Sequence, residues 1–232
     1  MRNKSITMDK ERVQKIISNA GLCSRRKAEK HIANGDVTVN GKPITLGDKA
    51  TKKDNIKVKG EELEFDKRIY LALHKPKNVL STLSTPSNKQ TITDYIGISE
   101  RVYPCGRLDY DAEGLIILTN DGDFANTIMH PKYEKQKEYV VVTTKPITIP
   151  STPHTVTLDD GDVTVHTFKK EGENTYALSI HEGRNHIVKR ICKTFNADVE
   201  RLIRTRIGSV TLDIEPGKSR KLTKKEVKSL RE

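Results

Sequence analysis

Acidic side chains are concentrated in one short stretch of the chain, at Asp109, Asp111 and Glu113. They directly precede an apolar run, residues 115–118, which has the length of a buried strand. A carboxylate between Arg107 and a buried strand can be held ionised and oriented, as the nucleophile or general base of an enzyme must be. We therefore expect Asp109 to carry out chemistry.

The same spacing is also similar to that of a calcium-binding loop. Asp109, Asp111, Glu113 and Gly114 fall at the first, third, fifth and sixth positions of such a loop. The similarity ends at the twelfth position, where Asn120 replaces the glutamate that must bind calcium through both oxygens. The residues after Gly114 also have the pattern of a strand, so we expect no metal at this site.

The acidic loop belongs to a longer pattern that runs from Gly106 to Gly122. It reads Gly-Arg-Leu-Asp-Tyr-Asp-x-x-Gly-Leu and ends in Leu-Thr-Asn-Asp-Gly. This pattern resembles the catalytic motif of pseudouridine synthases, most closely that of the RsuA/RluB family, whose members modify ribosomal RNA. The resemblance implies an isomerase without a cofactor, which breaks the bond between uracil and ribose, rotates the base and rejoins it through carbon 5. It makes Asp109 the nucleophile or base, acting at the ribose or at the base.

Two further segments resemble the family's motifs around its uridine pocket. Residues 73–82 resemble the first motif, with Asn78 where the family usually has glycine. Since asparagine tolerates a positive φ better than most residues, we expect the backbone conformation to be kept. Residues 130–131 and 137–139, His-Pro and Lys-Glu-Tyr, resemble the segment that contributes the pocket's tyrosine. This implies that Tyr139 stacks on a uracil flipped out of the RNA and helps to remove its carbon 5 proton.

A third segment, residues 180–190, resembles the motif whose final basic residue pairs with the catalytic aspartate. The family commonly has glutamine and arginine where this chain has Ile187 and Lys189. Lysine is a point charge without the two-pronged geometry of arginine, so we expect a looser but still attractive pair with Asp109. The resemblance also implies side chains that hold the phosphates and sugars flanking the target uridine, namely Lys75, Arg107, Arg184 and Asn185.

The first part of the chain, residues 9–60, has the pattern of a small separate domain. Apolar residues recur at helical spacing between residues 13 and 20, and Ser24 is a candidate N-cap for a second helix. Alternating residues around Asn40-Gly41 then predict a hairpin. This segment resembles the small αL RNA-binding domain of ribosomal protein S-four type.

Basic residues crowd the start of the second helix of this domain. A charged helix face is often only a solvated surface. However, the dipole at a helix start favours acids, so cations there are easier to understand if RNA phosphates are their partners. The side chains that we expect to bind RNA here are Arg25, Arg26, Lys27 and Lys30.

The composition also fits an RNA partner. Among 232 residues, 42 are Lys or Arg and 31 are Asp or Glu, which gives a formal net charge of +11. Such a charge favours a polyanion, although a merely soluble basic protein would share it. Three scattered cysteines, Cys23, Cys105 and Cys192, form no metal-binding pair and fit a reducing cytoplasm. No nucleotide-binding fingerprint is present, and no segment approaches the length of a membrane span.

The rest of the chain, residues 69–232, reads as many short strands with few helices. Strands are expected at 70–73, 115–118, 139–144 and 176–180, with another extended segment at 206–212. Helices are expected after Asp121, around 187–195, and after a capping box formed by Thr223 and Glu226. We therefore predict the α+β class, with the small N-terminal RNA-binding domain followed by a mainly antiparallel mixed-sheet pseudouridine synthase domain.

These features together predict a monomeric, cytoplasmic rRNA pseudouridine synthase, with large-subunit rRNA favoured as the substrate. Two alternatives stay open, namely small-subunit rRNA as the target and a non-catalytic rRNA-binding protein of ribosome assembly. Met1 and Met8 are both candidate translation starts, and the polar residues between them lack the apolar core of a signal peptide.

Overall fold

The computed structural model of the protein describes residues 10–232. The two candidate starts, Met1 and Met8, and the first residue of the predicted N-terminal domain, Asp9, lie outside the described residues. The described chain divides into two compact units, one that ends at residue 68 and includes 99–102, and the other of residues 69–98 with 103–232. The domain limits 9–60 and 69–232 stay predictions.

The first unit contains two helices near its start and several short strands. Its described elements are β1 (Glu11–Arg12), α1 (Val13–Asn19), α2 (Arg25–Ala33), β2 (Val37–Val39), β3 (Lys42–Pro43), β4 (Lys49–Ala50), β5 (Ile56–Val58) and β6 (Glu61–Glu62). Ser24 caps α2 as predicted, because its hydroxyl accepts a hydrogen bond from the backbone N–H of Lys27 at 3.2 Å. The hairpin predicted around Asn40-Gly41 is also confirmed, between β2 and β3, and both residues have the positive φ of a type I′ turn, 51° and 77°.

The second unit contains most of the strands and three α-helices among the residues that the structure describes. In chain order they are β7 (Tyr70–Lys75), β8 (Tyr103–Pro104), β9 (Glu113–Thr119), α3 (Gly122–Met129), β10 (Lys137–Thr143), β11 (His154–Leu158), β12 (Gly161–Val165), β13 (Thr167–Lys170), β14 (Thr175–Ile180), α4 (Ile187–Thr194), β15 (Val199–Ile207), β16 (Val210–Thr211), β17 (Ser219–Lys221) and α5 (Lys224–Arg231). The capping box at the start of α5 is present as predicted.

A large mixed sheet is the framework of the second unit. Its strands follow the order β13-β14-β10-β15-β9-β7-β17, with β16 paired to β15 and β8 paired to β9. Only the pair of β15 with β9 is parallel among the described strands, so the predicted α+β class with a mainly antiparallel sheet is correct. Strand β15 lies between β10 and β9 and joins the two halves of the sheet.

One core cluster of this unit combines sheet residues with helices α3 and α5. Leu115 and Ile117 of β9 are fully buried, and Phe124 and Ile128 of α3 and Leu230 of α5 belong to the same cluster. Burying such side chains gives roughly 1.5–3 kcal/mol each. This cluster stabilises the strand that directly follows the acidic loop.

The extended segment predicted at 206–212 differs from the structure. Strand β15 begins at Val199 and ends at Ile207, and Gly208 then turns the chain back into the short strand β16. The prediction missed the start because the charged residues of 200–206 interrupt the apolar alternation on which it relied. As a result, the central strand of the sheet was placed too late in the sequence.

No helix between residues 10 and 232 is long and apolar enough to cross a bilayer.

Candidate active site

The backbone of the Asp109 loop is fixed by hydrogen bonds to the carbonyl oxygens of residues 107–110. The donors are Arg204 Nη1 to Arg107 O at 3.4 Å, Ser81 Oγ to Leu108 O at 2.7 Å, the N–H of Ala112 to Asp109 O at 3.2 Å, and the N–H of Asn78 to Tyr110 O at 2.7 Å. Asn78 has a φ of 61°, so the positive φ predicted at this position is confirmed. The loop therefore presents the Asp109 carboxylate from a rigid backbone.

Lys75 lies under the same loop and is fully buried. Its ammonium group donates to the carbonyls of Pro76 and Val79, each at 2.9 Å, and to that of Tyr110 at 3.4 Å. Burial lowers the pKa of Lys75 to about 8, while the charge of Asp111 acts in the opposite direction. The three donors of this ammonium thus face carbonyls of the protein, which favours a structural role over contact with a phosphate.

Asp109 has two basic neighbours on helix α4 and its N-cap. His186 Nε2 lies 3.5 Å from Oδ1 of Asp109, and Lys189 Nζ lies 4.0 Å from its Oδ2. Lys189 is closer to Asp111, whose carboxylate oxygens lie 2.7 and 2.6 Å from Nζ. The hydrogen bond from Lys189 lowers the pKa of Asp111. One lysine therefore contacts both aspartates of the loop.

Tyr139 and Arg204 are direct neighbours across the pair of strands β10 and β15. Residues that oppose each other in adjacent strands project to the same face of the sheet. Arg204 also opposes Gly114 of β9, and a β-carbon at Gly114 would lie 2.4 Å from the Arg204 carbonyl oxygen. The backbones at this point therefore leave room for glycine alone, whose φ here is +114°.

The guanidinium of Arg204 is buried within the sheet, with 3 % of the residue exposed. Its Nε donates to the carbonyl of Leu115 at 2.7 Å and its Nη1 to that of Arg107 at 3.4 Å. Its Nη2 has no hydrogen-bond partner. Arg204 thus connects the Asp109 loop to the strand that follows it and keeps one donor unused.

Lys137 provides a second buried cation near Arg204. Its ammonium donates to the carbonyls of Lys135 and His181, at 3.1 and 2.9 Å. Burial, together with the charge of Arg204, lowers the pKa of Lys137 to about 8. With this pKa, the side chain is mostly protonated at neutral pH. Lys137 and Arg204 therefore place two positive charges on this part of the sheet.

These elements surround a cavity of about 780 Å³. The Asp109 loop forms one wall, and the segment from Glu182 to Val188 forms another. Tyr139, Lys137 and Arg204 contribute from the sheet. The volume lies in the range typical of small-ligand pockets, so one nucleotide fits inside it.

The remaining predicted contacts of the pocket have two kinds of position. Arg107 and Asn185 line the cavity and are exposed. Arg184 also lines it, but Nη1 donates to the Asp160 side chain at 2.6 Å and to the Gly161 carbonyl at 2.8 Å, so it holds the turn between β11 and β12. Arg107 and Asn185 are therefore the side chains of this group that are open to RNA.

The basic cluster of the first unit is at the surface. Helix α2 begins with it, and the side chains of Arg25, Arg26, Lys27 and Lys30 are all exposed. The first turn of this helix contains no acidic residue. A cationic surface of this kind attracts a polyanion.

Sequence reasoning missed Arg204, Lys137, His186 and Ser81 as parts of the site. For Arg204 a signal was present, because a charge stands where the alternation of β15 points inward, two residues after the buried Leu202. No sequence pattern predicts the role of Ser81, because its hydroxyl acts by hydrogen bonding to the backbone of Leu108, which is distant in the sequence. In the described part of the chain, no group of three His, Cys, Asp or Glu side chains is arranged to hold a metal ion.

Comparison with known proteins shows the class to which this site belongs. Residues 69–194 match the family model of the RNA pseudouridylate synthases, and residues 11–56 match that of the S4 domain. The chain belongs to the RNA pseudouridylate synthase family and is a pseudouridine synthase with an N-terminal S4 domain.

Similar proteins cover almost the whole chain. The ribosomal large subunit pseudouridine synthase B of Bacillus subtilis (strain 168) is 40% identical, over 95% of this chain and 96% of its own. The dual-specificity RNA pseudouridine synthase RluF of Escherichia coli (strain K12) is 38% identical, over 93% of this chain and 77% of its own. A crystal structure of a pseudouridylate synthase matches with a TM-score of 0.68 at 28% identity and covers 94% of this chain.

Proposed function

We propose that this pseudouridine synthase isomerises a specific uridine in ribosomal RNA and that large-subunit rRNA is the favoured substrate. The main support is the likeness along nearly the full length to an enzyme named for the large ribosomal subunit. The net charge of +11 and the exposed basic start of α2 suit a large folded RNA. The second relative is named for dual specificity, so a further RNA target is the second candidate.

Asp109 is the group that we assign to bond cleavage, as nucleophile at the ribose or as base. Its loop is held through the carbonyls of residues 107–110, and its carboxylate opens into the cavity. A fixed carboxylate needs little reorganisation when it meets the reacting atom. This placement at the edge of a nucleotide-sized cavity is the observation that carries the assignment.

Tyr139 is the residue that we assign to stacking on the flipped uracil. It is 5 % exposed and lines the cavity on the same face of the sheet as Arg204. A uridine must leave its stack before the enzyme can reach its glycosidic bond, and an aromatic ring replaces part of the lost stacking. From this position the hydroxyl of Tyr139 could also assist removal of the carbon 5 proton.

Lys189 is the residue that we assign to holding the Asp109 carboxylate in place by its positive charge. The distance of 4.0 Å to Asp109 leaves an attractive interaction, although the hydrogen bonds of Lys189 go to Asp111. Asp111 is largely exposed and lies at the surface of the loop. If bound RNA displaces the Asp111 carboxylate from Lys189, the ammonium of Lys189 interacts with Asp109 alone. The distance between Lys189 and Asp109 would then shorten as the substrate binds.

Contacts to the RNA backbone are assigned to the exposed basic groups. Arg107 and Asn185 surround the entrance of the cavity, where the flanking phosphates and sugars would lie. The S4 domain adds Arg25, Arg26, Lys27 and Lys30 on helix α2. We assign Lys75 and Arg184 to holding the site itself, because both donate to backbone carbonyls of the protein.

The test is a map of pseudouridines in rRNA from cells that lack this protein. We expect one site to lose its pseudouridine, and we expect the wild-type gene to restore it while Asp109→Asn does not. Restoration by Asp109→Asn would favour the alternative, a non-catalytic rRNA-binding protein of ribosome assembly. A lost site in small-subunit rRNA would favour the other target.

The same proposal includes a monomeric enzyme that works in the cytoplasm. The residues that we assign to the reaction, Asp109, Tyr139 and Lys189, all lie in the second unit of the chain, which supports a monomer. The three cysteines are free and buried, which suits a reducing compartment. Sedimentation of the purified protein, alone and with an rRNA fragment, tests the monomer.

A further inference from the structure

Arg204 carries a buried positive charge that the protein leaves partly unsatisfied. Two of its nitrogens donate to carbonyls, but Nη2 is buried and has no partner. Within residues 10–232, no carboxylate forms an ion pair with this guanidinium. A buried charge with an unused donor is costly, on the order of 1–3 kcal/mol or more, so its presence needs an explanation.

The position of Arg204 explains which partner can reach it. The residue lines the cavity and stands beside Tyr139 on the same face of the sheet. It is 3 % exposed, and the cavity is the side from which a substrate can approach its guanidinium. A flipped nucleotide inserts its base into the pocket, while its phosphates remain part of the RNA backbone outside. The oxygen that would meet Nη2 is therefore one of the base.

The chemistry of the reaction supplies a reason for a cation at this place. When the bond between C1′ and N1 breaks with both electrons going to N1, the detached uracil is an anion. Its charge spreads over the oxygens O2 and O4. It becomes neutral again when carbon 5 uses an electron pair to bond C1′, which releases the Asp109 carboxylate if that group holds the sugar. The proton of carbon 5 is then lost to a base and N1 gains a proton, so that the product is neutral. A buried donor aimed at one of these oxygens is strongest where water is excluded.

We propose that Arg204 donates a hydrogen bond from Nη2 to a carbonyl oxygen of the uracil ring and stabilises the anion that forms when the ring leaves the ribose. The inference rests on the pseudouridine synthase activity and adds a substrate-binding residue on the central strand β15. Lys137 supports it as a second buried cation of the same cavity. Arg204 then has two roles, because its other nitrogens hold the Asp109 loop.

The experiment compares RNA fragments in which the target uridine is replaced by 2-thiouridine or 4-thiouridine. Sulfur accepts hydrogen bonds poorly, so each replacement weakens one contact. Single-turnover rates at saturating enzyme are measured for the wild type, Arg204→Gln and Arg204→Lys. Since sulfur also changes the acidity of the ring, the measured quantity is the ratio of the oxo rate to the thio rate in each enzyme. Comparing these ratios isolates the pairwise interaction.

Ser81→Ala is the matched control for a loosened loop. It removes the hydrogen bonds that hold Leu108 but leaves the Arg204 cation in place. We expect Arg204→Gln to lower the oxo rate by about 100-fold or more. For one of the two thio substrates, we expect the ratio to fall by about 10-fold or more relative to the wild type. In Ser81→Ala the ratio should stay as in the wild type.

Two results would overturn the proposal. One is an equal ratio of oxo rate to thio rate in all four enzymes. Arg204 would then only hold the Asp109 loop in place. The other is a phosphate contact, shown by normal single-turnover rates for Arg204→Gln together with a salt slope of RNA binding lowered by about one. If Arg204→Gln does not fold, Arg204→Lys gives the same comparison, because the single nitrogen of lysine cannot occupy the separate positions of Nε, Nη1 and Nη2 in the planar guanidinium. A wild-type enzyme that is inactive on rRNA would instead contradict the proposed substrate.

Discussion

The ammonium of Lys189 lies 2.6 Å from Oδ2 of Asp111 and 4.0 Å from Oδ2 of Asp109. The nearer carboxylate is largely exposed, and the farther one faces the cavity. The lysine is therefore shared between a surface aspartate and the aspartate that we assign to the reaction. Because the lysine is shared, substitutions of Asp109, Asp111 and Lys189 should have different effects on turnover.

We expect Asp109→Asn to lower turnover by about 10⁴-fold or more. The variant keeps the shape of the side chain but replaces the carboxylate, which acts as nucleophile or base, by a neutral amide. RNA affinity should stay within a few-fold, since phosphate contacts elsewhere supply most of it. Turnover and filter binding are measured on the same rRNA fragment. Asp111→Asn is the control and should keep turnover within about tenfold of the wild type. The variant removes the competing carboxylate, so the charge of Lys189 still acts on Asp109. Similar losses in both variants would refute the assignment of Asp109.

Lys189→Met should lower turnover at neutral pH. The physical reason is that the variant removes a positive charge 4.0 Å from Oδ2 of Asp109, and this charge attracts and orients the carboxylate. Lys189→Arg keeps the charge and should keep most of the activity. Single-turnover rates across pH, at saturating enzyme, make the comparison. A wild-type profile for Lys189→Met with weaker binding would show that Lys189 touches only RNA.

Gly114→Ala should destabilise the second unit by at least about 3 kcal/mol and abolish activity. A β-carbon at this position would lie 2.4 Å from the carbonyl oxygen of Arg204, and the φ of +114° is already unfavourable for alanine. Thermal unfolding measures the effect. Gly97→Ala is the control in the same unit, because nothing lies within 4 Å of the added carbon. Equal stability of the two variants would mean that strands β9 and β15 are not held at this distance.

Lys137→Met should change the pH dependence of unfolding in a definite direction. The pKa of Lys137 is about 8 in the folded protein and about 10.5 in an exposed chain. Between these values the unfolded chain binds the proton and the folded protein does not, so the wild type gains stability as pH rises, by up to about 3 kcal/mol. The Met variant lacks this gain. Its stability relative to the wild type should therefore fall between pH 8 and 10.5.

Urea unfolding across this pH range gives the measurement. Lys170→Met removes an exposed lysine of β13 and serves as the control. Its stability relative to the wild type should not change with pH in the same window. A constant difference for Lys137→Met would show that Lys137 is not buried as a cation.

Replacing Arg25, Arg26, Lys27 and Lys30 together by glutamine should weaken rRNA binding and lower its salt slope by about three to four, roughly one for each lost phosphate contact. Single-turnover rates at saturating enzyme should stay close to those of the wild type, because the cavity lies in the second unit. The matched control carries four other exposed lysines of the first unit changed to glutamine, at positions 52, 53, 57 and 59. Equal slopes for the two variants would make the α2 cluster a solvated surface.

The local features of the fold could be predicted because their causes lie within a few residues. The cap at Ser24, the turn at Asn40-Gly41 and the capping box of α5 each depend on neighbours in the chain. The loop around Asp109 was found for the same reason, since its acids and the following strand are contiguous.

The missed parts of the site depend on contacts between distant residues. Arg204 is brought next to Tyr139 and Gly114 by strand pairing, and no local sequence pattern predicts either contact. A sequence also does not tell whether a cation faces RNA or the protein's own carbonyls. Lys75 and Arg184 illustrate this, because both were expected at phosphates and both donate to the backbone.

Strand β15 has a consequence for the order in which the enzyme can form. Residues 199–207 leave the ribosome after β9 and β10 have been made, yet they fill the gap between those two strands. Before this insertion, Asp109 and Tyr139 belong to separate halves of the sheet. The edge of β10 that pairs with β15 and the start of β9, at Glu113 and Gly114, then lack their partner strand. Such non-local pairing is slow to form. A nascent or partly unfolded chain therefore has no assembled pocket, so it cannot modify RNA before the central strand is in place.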